Sequence, residues 1–339
     1  MKNQNTEIKL KGGSLNSTYL IHSDKLYNGL RFVRKSVSLK ENREYGFQRW
    51  YSQLKRIQRY SVLFPNIFPK LLGHGMEKDD AFFNIEYIEG STTALDFLVD
   101  TSDENEINIF FKSLQETMNT MYYSKFPTII SDHRAMELYL REEVYQRLSD
   151  CKSHAKFTEF LKYKVIEFQG EAIPSFITQL DLFKNIALKY YKNPIETFTH
   201  GNLTLENILY LKEKNQIYFI DPYEENIIDS PLAEYSQLLQ SSNSLYEIYN
   251  IGTPAVFENK VNMDVSIPTG LRIFNNKLLN SIKENFNKND SKIIKILEIS
   301  QFIRMLPFKA LIDKDKVIFF YSLASKLLND LIVGEINEK

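Results

Sequence analysis

The chain has 339 residues, with 42 Lys+Arg against 43 Asp+Glu and a formal charge of −1. So even a balance sets aside nucleic acid and anionic membrane surfaces as partners, because no overall field attracts a polyanion. At 43% apolar and 25% charged residues the composition is globular, and 12 Gly and 10 Pro are too few for collagen-like or turn-dense all-β repeats. Cys151 is the single cysteine, which excludes an internal disulfide and a Cys-based metal site, and the five histidines show no HExxH spacing. A reducing, cytoplasmic location is expected, since MKNQNTEIKLKGG lacks the apolar stretch of a signal peptide. At ~150 residues per domain the length suggests about two domains or lobes.

The first ~90 residues read as strands around one helix. KLKGGSLNSTYLI reads as strand, Gly turn, strand, and GLRFVRKSVS as a further strand. ENREYGFQRWYSQLKRIQRY has helical spacing, with Tyr45, Trp50, Leu54 and Ile57 near one face. AFFNIEYIEG is a strand leaving through Gly90. Beyond Ser91 four stretches carry helical periodicity, 101–123, 132–150, 155–169 and 174–193, with Thr101 or Ser102 and Asp132 as N-caps. ENILYLKEKNQIYFID at 206–221 reads as strand, polar turn, strand, and helices follow at 268–287, 291–306 and 314–334. Within the last, Val317–Val333 is interrupted by Lys326 and Asp330 and is expected to be a core-facing helix, too short and too charged to span a bilayer. The predicted fold class is α+β, a small β-rich part at 1–90 and a large, mainly helical part at 91–339.

Chemistry concentrates in THGNLTLENILYLKEKNQIYFIDP, Thr199 to Pro222. His200-Gly-Asn202 is followed by four residues, Asn207, two short apolar strands, and Asp221 fourteen residues after Asn207. An Asn side-chain oxygen and an Asp carboxylate are hard ligands for Mg²⁺, and a hairpin holds them close although they are distant in sequence.

This stretch resembles the catalytic and metal-binding loops of the aminoglycoside phosphotransferase and choline kinase superfamily, His-Gly-Asp-x4-Asn followed by Ile-Asp-Pro. The resemblance implies a bilobal protein-kinase-like fold and an ATP (or other NTP) and Mg²⁺ requirement. It also implies transfer to a hydroxyl of a small-molecule acceptor, a sugar, amino sugar or amino alcohol. By position it makes Asn207 and Asp221 the metal ligands and His200 a brace of the loop. KGGSLNSTYL is similar to the turn that covers nucleotide phosphates. Gly12 and Gly13 there permit positive φ, while Ser14, Asn16 and Ser17 offer donors. RFVRKSV matches the strand whose basic residue meets the α/β-phosphates; strand alternation puts Val33 and Lys35 on one face and favours Lys35, with Arg34 the competitor. Glu44 resembles the carboxylate that anchors that residue, and the backbones of Glu86 and Ile88 in IEYIEG resemble the hinge that meets the adenine edge. The 109 residues between Gly90 and His200, and no APE-like signal after Asp221, point to small-molecule phosphotransferases rather than protein kinases.

One departure matters. The family's catalytic Asp falls on Asn202, and an amide can position a hydroxyl but cannot act as its base. Three origins are open: natural degeneration, an engineered Asp→Asn exchange, or replacement of the base by Glu206 or Glu225. The alternative reading is a non-catalytic kinase-like nucleotide-binding or scaffold protein, to which Glu234 and Gln237 also point, because relatives often carry Asp and Lys there.

Overall fold

The computed structural model describes residues 6–10, 16–23, 26–40, 43–124, 129–130, 134–192, 194–223 and 226–337. The chain divides into two compact units. The first comprises Met1–Phe97, Asn108–Met121 and His200–Asn226; the second comprises Leu98–Ile107, Tyr122–Thr199 and Ile227–Lys339.

In the first unit, β1 (Thr6–Lys9), β2 (Asn16–His22), β3 (Arg31–Ser38), β4 (Leu71–Glu77) and β5 (Asp80–Glu86) form an antiparallel sheet in the order β1-β2-β3-β5-β4. Helix α1 (Arg43–Leu63) covers one face. The predicted helical stripe closes this core: Trp50, Leu54 and Ile57 pack with Val37, Ala81, Phe83 and Ile85. A buried Val, Leu, Ile or Phe of this kind contributes roughly 1.5–3 kcal/mol, and truncating Leu54 to Ala would cost about 2–5 kcal/mol. No strand is expected from sequence at β4, where Gly73 and Gly75 weaken the strand signal. Gly73 is there for a close approach, since a Cβ would lie 2.5 Å from the Tyr27 hydroxyl. A second sheet of this unit contains the predicted hairpin, Ile208–Leu211 paired with Gln216–Phe219, and joins Thr92–Thr93 at its edge. Phe97 and Phe110 pack on Tyr210 of that hairpin, each with ring centroids 5.0 Å away.

The second unit is mainly helical. Its helices Thr269–Asn285, Lys288–Ile312 and Lys314–Asn337 match the three expected near the end of the sequence. The stretch 155–169 is corrected: the helix is only Ala155–Phe160, and Val165–Phe168 is a strand, paired with Glu171–Pro174 and with Lys260–Asn262. Val165, Ile166 and Phe168 are β-formers, and the pairing partners decide a window whose apolar spacing also suits a helix. The N-cap is corrected too. Helix Glu104–Tyr122, whose residues Asn108–Met121 are counted in the first unit, starts on Asp103, whose Oδ1 accepts from the N–H groups of Asn105 (2.7 Å) and Glu106 (3.4 Å), so neither Thr101 nor Ser102 caps it. Asp132 lies outside the described residues. Helix Pro231–Ser242 has no amphipathic stripe to read, because nearly all of it is buried, Glu234 and Gln237 included. Ser230 caps it by accepting from Leu232 N–H at 3.3 Å.

The run Lys314–Glu335 is, by length and composition, long and apolar enough to cross a membrane, contrary to the length argument from sequence. Yet 61% of its apolar window is buried inside the fold, and Val317 to Tyr321 are covered, as in a core helix.

Candidate active site in the first unit

The site is built on three neighbouring elements of the first unit: β3, the loop His200–Asn207, and the end of strand Gln216–Phe219. On β3 the period of two places Lys35 between Val33 and Val37, facing α1, and Lys35 is 5% exposed. A cation so buried needs a counter-ion, and Asp221 supplies it in a close ion pair. Arg34 points to the other face. Its Nε donates to Asn84 Oδ1 at 2.9 Å and its guanidinium lies 4.0 Å from the centre of the Phe82 ring. Lys35, not Arg34, therefore reaches the Asp221 cluster. Glu44 is exposed in the first turn of α1 and is not brought to Lys35.

Ile220 ties the loop to the strand end. Its N–H donates to the Asn207 carbonyl at 3.0 Å, and its carbonyl accepts from Nε2 of His200 at 2.7 Å. The other ring nitrogen, Nδ1, accepts from Asn202 N–H at 3.3 Å. These two bonds select the neutral tautomer with its proton on Nε2. Burial, which dominates the weaker backbone bonds, pushes the His200 pKa down to about 4. Phe68 stacks on the ring at 6.1 Å between centroids and Phe219 meets it edge-on. His200 is thus a brace with both nitrogens occupied.

Gly201 adopts φ +82°, and a Cβ there would lie 2.8 Å from an Arg56 guanidinium nitrogen and 3.0 Å from the Tyr223 carbonyl. Nδ2 of Asn207 donates to the main-chain carbonyl of Asn202 at 2.8 Å, which leaves Oδ1 as the acceptor of that amide. Among the described residues, the side chain of Asn202 makes no hydrogen bond. Asp221 sits in the left-handed region at φ +59°, a conformation that Asp tolerates better than most residues. The next turn closes when Tyr223 N–H donates to the His200 carbonyl at 2.9 Å.

The remaining predicted positions distribute as follows. Ser17 on β2 pairs in register with Ser36, and Asn16 with Val37. Gly12, Gly13, Ser14 and Glu225 lie outside the described residues. Glu86 ends β5, its N–H donating to the Lys70 carbonyl at 2.9 Å. The Ile88 side chain is buried and its carbonyl accepts from Ser91 Oγ at 2.7 Å. Two further residues reach the Asp221 segment without a motif to announce them. Gln53 Nε2 donates to the Pro222 carbonyl at 3.4 Å, and the Arg56 guanidinium donates to the Tyr223 carbonyl. Their only sequence signal is a polar pair three apart flanking the apolar stripe of α1.

The Oδ1 of Asn207 and the Asp221 carboxylate are oxygens of the kind a hard divalent cation takes, but the carboxylate is paired with Lys35, and among the described residues no three His, Cys, Asp or Glu side chains cluster to hold a metal.

No protein-family model and no curated protein matches the chain in sequence. Solved structures do resemble it. A candidate fructosamine-3-kinase from Haemophilus somnus 129PT is 14% identical at a TM-score of 0.55, covering 96% of this chain and 92% of its own. Choline kinase from Cryptosporidium parvum Iowa II is 14% identical at a TM-score of 0.51, with 98% and 90% covered. An aminoglycoside-3'-phosphotransferase of type VIII is 11% identical at a TM-score of 0.50, with 87% and 93% covered. At such identities the likeness is one of fold. The chain has the protein-kinase-like α+β fold, with a β-rich N-terminal lobe and a mainly helical C-terminal lobe.

Proposed function

We propose that the chain is an ATP- and Mg²⁺-dependent phosphotransferase acting on a hydroxyl of a small polar metabolite, a sugar, amino sugar or amino alcohol. The observation that carries the reading is the convergence of Lys35, Asp221 and the Asn202–Asn207 loop on Ile220 and its neighbour. On this reading residues 1–90 hold the nucleotide, with Glu86 and Ile88 at its base, while 91–339 supply the loops and the acceptor site. Lys35 would hold nucleotide phosphates as a point charge, and Asn207 and Asp221 would hold the metal. The metal, when bound, neutralises phosphate charge. Asn202 would orient the acceptor hydroxyl without taking its proton, so turnover is expected to fall by about 10²–10⁴-fold relative to a carboxylate at that position. His200, neutral and doubly bonded, has no role in moving protons.

A thermal-shift titration with Mg-ATP tests the reading. Ligand at 100 times its dissociation constant adds about 2.7 kcal/mol of stability, so a clear rise in Tm is expected at millimolar nucleotide. No rise would sink the proposal. Asn202 itself supports a second reading, a nucleotide-binding protein without catalysis, and restoring the carboxylate separates the two.

A further inference from the structure

Helix α1 carries one carboxylate, Glu44, and it is exposed in the first turn. The Lys35 counter-ion is Asp221. What α1 presents to the Asp221 segment instead is a pair of donors three residues apart, on one stripe of the helix. Gln53 is 8% exposed and donates to the Pro222 carbonyl at 3.4 Å; Arg56 donates to the Tyr223 carbonyl. Arg56 is itself held, with its guanidinium 5.3 Å from the centre of the buried Tyr60 ring.

The two carbonyls follow directly on Asp221, whose backbone is left-handed at φ +59°. That conformation costs on the order of 1–2 kcal/mol for most residues with a Cβ, less for Asp, and is held where its surroundings over-determine it. Three bonds do so: Gln53 to Pro222, Arg56 to Tyr223, and Tyr223 N–H to the His200 carbonyl at 2.9 Å. The first two come from α1. They grip main-chain oxygens, so they set where the segment lies without competing for the Asp221 carboxylate.

We infer that Gln53 and Arg56 are positioning residues for metal binding. They hold Pro222 and Tyr223, the residues that follow Asp221, and so set where the Asp221 carboxylate lies relative to the loop that carries Asn207. The link from α1 to the metal loop is thus made by donors to the main chain and not by a carboxylate of the helix. The inference rests on the phosphotransferase reading for its ligand, a divalent cation bound with nucleotide.

The test uses the full chain, with Mn²⁺ as a spectroscopic probe of the metal. Mn²⁺ binding in the presence of ATP is followed by electron paramagnetic resonance, and metal-free ATP binding is measured in EDTA. For Gln53→Leu and Arg56→Ala the expected result is Mn²⁺ affinity weakened about tenfold, metal-free ATP affinity changed less than twofold, and recovery of most of the loss in Arg56→Lys. Circular dichroism confirms folding, and should Gln53→Leu fail to fold, the Arg56 pair carries the test alone. Unchanged Mn²⁺ affinity in folded variants overturns the inference. So does an equal loss of metal and metal-free nucleotide, which would mark a merely structural role. If the parent chain binds neither Mn²⁺ nor ATP, the phosphotransferase reading fails and the inference falls with it; parent binding with unaffected variants removes the inference alone.

Discussion

The side-chain amide of Asn207 donates to the main-chain carbonyl of Asn202 at 2.8 Å. The bond fixes the loop through the backbone of residue 202 and makes no use of its side chain. Position 202 can therefore change chemically without changing the loop. Asn202→Asp is isosteric and leaves every bond described for the loop in place. The expected outcome is a Tm within a few degrees of the parent. Transfer to an acceptor drawn from a panel of sugars, amino sugars and amino alcohols is expected to rise about a hundredfold or more. Coupled ADP-release kinetics read it. An unchanged rate with intact nucleotide binding would favour the non-catalytic reading.

Lys35 and Asp221 invite a double-mutant cycle. Lys35→Met keeps the length of the side chain and removes its charge, leaving Asp221 without its counter-ion. The Asp221 side chain is about a third exposed, so water screens much of the cost. The expected loss is below about 2 kcal/mol in chemical denaturation, smaller than for a fully buried pair. Nucleotide affinity is expected to drop at least tenfold. Adding Asp221→Asn should be less than additive in stability, with a coupling of about 0.5–2 kcal/mol, the lower part of the usual range for contacting residues. Strict additivity would mean that the pair does not interact in solution.

How much of this could be read beforehand differs from residue to residue. The hairpin Ile208–Phe219 and the choice of Lys35 over Arg34 follow from alternation, a local rule with period two. The trio of helices near the end of the sequence is legible for the same kind of reason, a sustained period of 3.6. Strand Val165–Phe168 was not legible, since its partners Glu171–Pro174 and Lys260–Asn262 decide it and one of them lies far away in sequence. Helix Pro231–Ser242 was invisible because burial on all sides erases the polar face that periodicity detects. In the site, residue types at fixed spacing announce His200, Asn207 and Asp221. Gln53 and Arg56 bind main-chain oxygens, and a carbonyl acceptor leaves no trace in the identity of the residue that carries it. Glu44, a residue of the right type at a plausible spacing, is exposed in the first turn of α1, and the ion pair of Lys35 is with Asp221.

Gly201 is the least replaceable residue of the loop. At φ +82° any residue with a Cβ is strained, and the Cβ would also press on the Asn226 side-chain amide, on Arg56 and on the Tyr223 carbonyl. The Tyr223 carbonyl is part of the closed turn and cannot yield cheaply. Gly201→Ala is expected to cost about 1–3 kcal/mol through backbone strain, with steric displacement of Tyr223 added. Because the turn leads to Asp221, metal-dependent nucleotide binding should weaken more than metal-free binding. Isothermal titration with and without Mg²⁺ separates the two; a variant with parental affinity in both would contradict the strain argument.

The depressed pKa of His200 predicts a pH dependence with a definite sign. Burial holds the ring neutral, so its pKa falls from the ordinary 6.5 to about 4 in the folded chain. Between those values the unfolded chain binds a proton that the folded chain refuses, and stability falls as pH falls. The full contribution is present above pH 6.5 and is lost progressively toward pH 4, where the difference amounts to roughly 3 kcal/mol. His200→Gln removes this titration. It also replaces bonds to Ile220 and Asn202, so the variant should be less stable at pH 7.5 by about 1–3 kcal/mol. The gap between parent and variant should then shrink by about 2 kcal/mol or more on going to pH 4.5, because only the parent loses the histidine contribution. Urea unfolding at the two pH values measures the gap. A gap that stays constant would mean that the His200 ring takes up a proton as readily in the folded chain as in the unfolded one, and the buried neutral tautomer bonded to Ile220 and Asn202 would have to be abandoned.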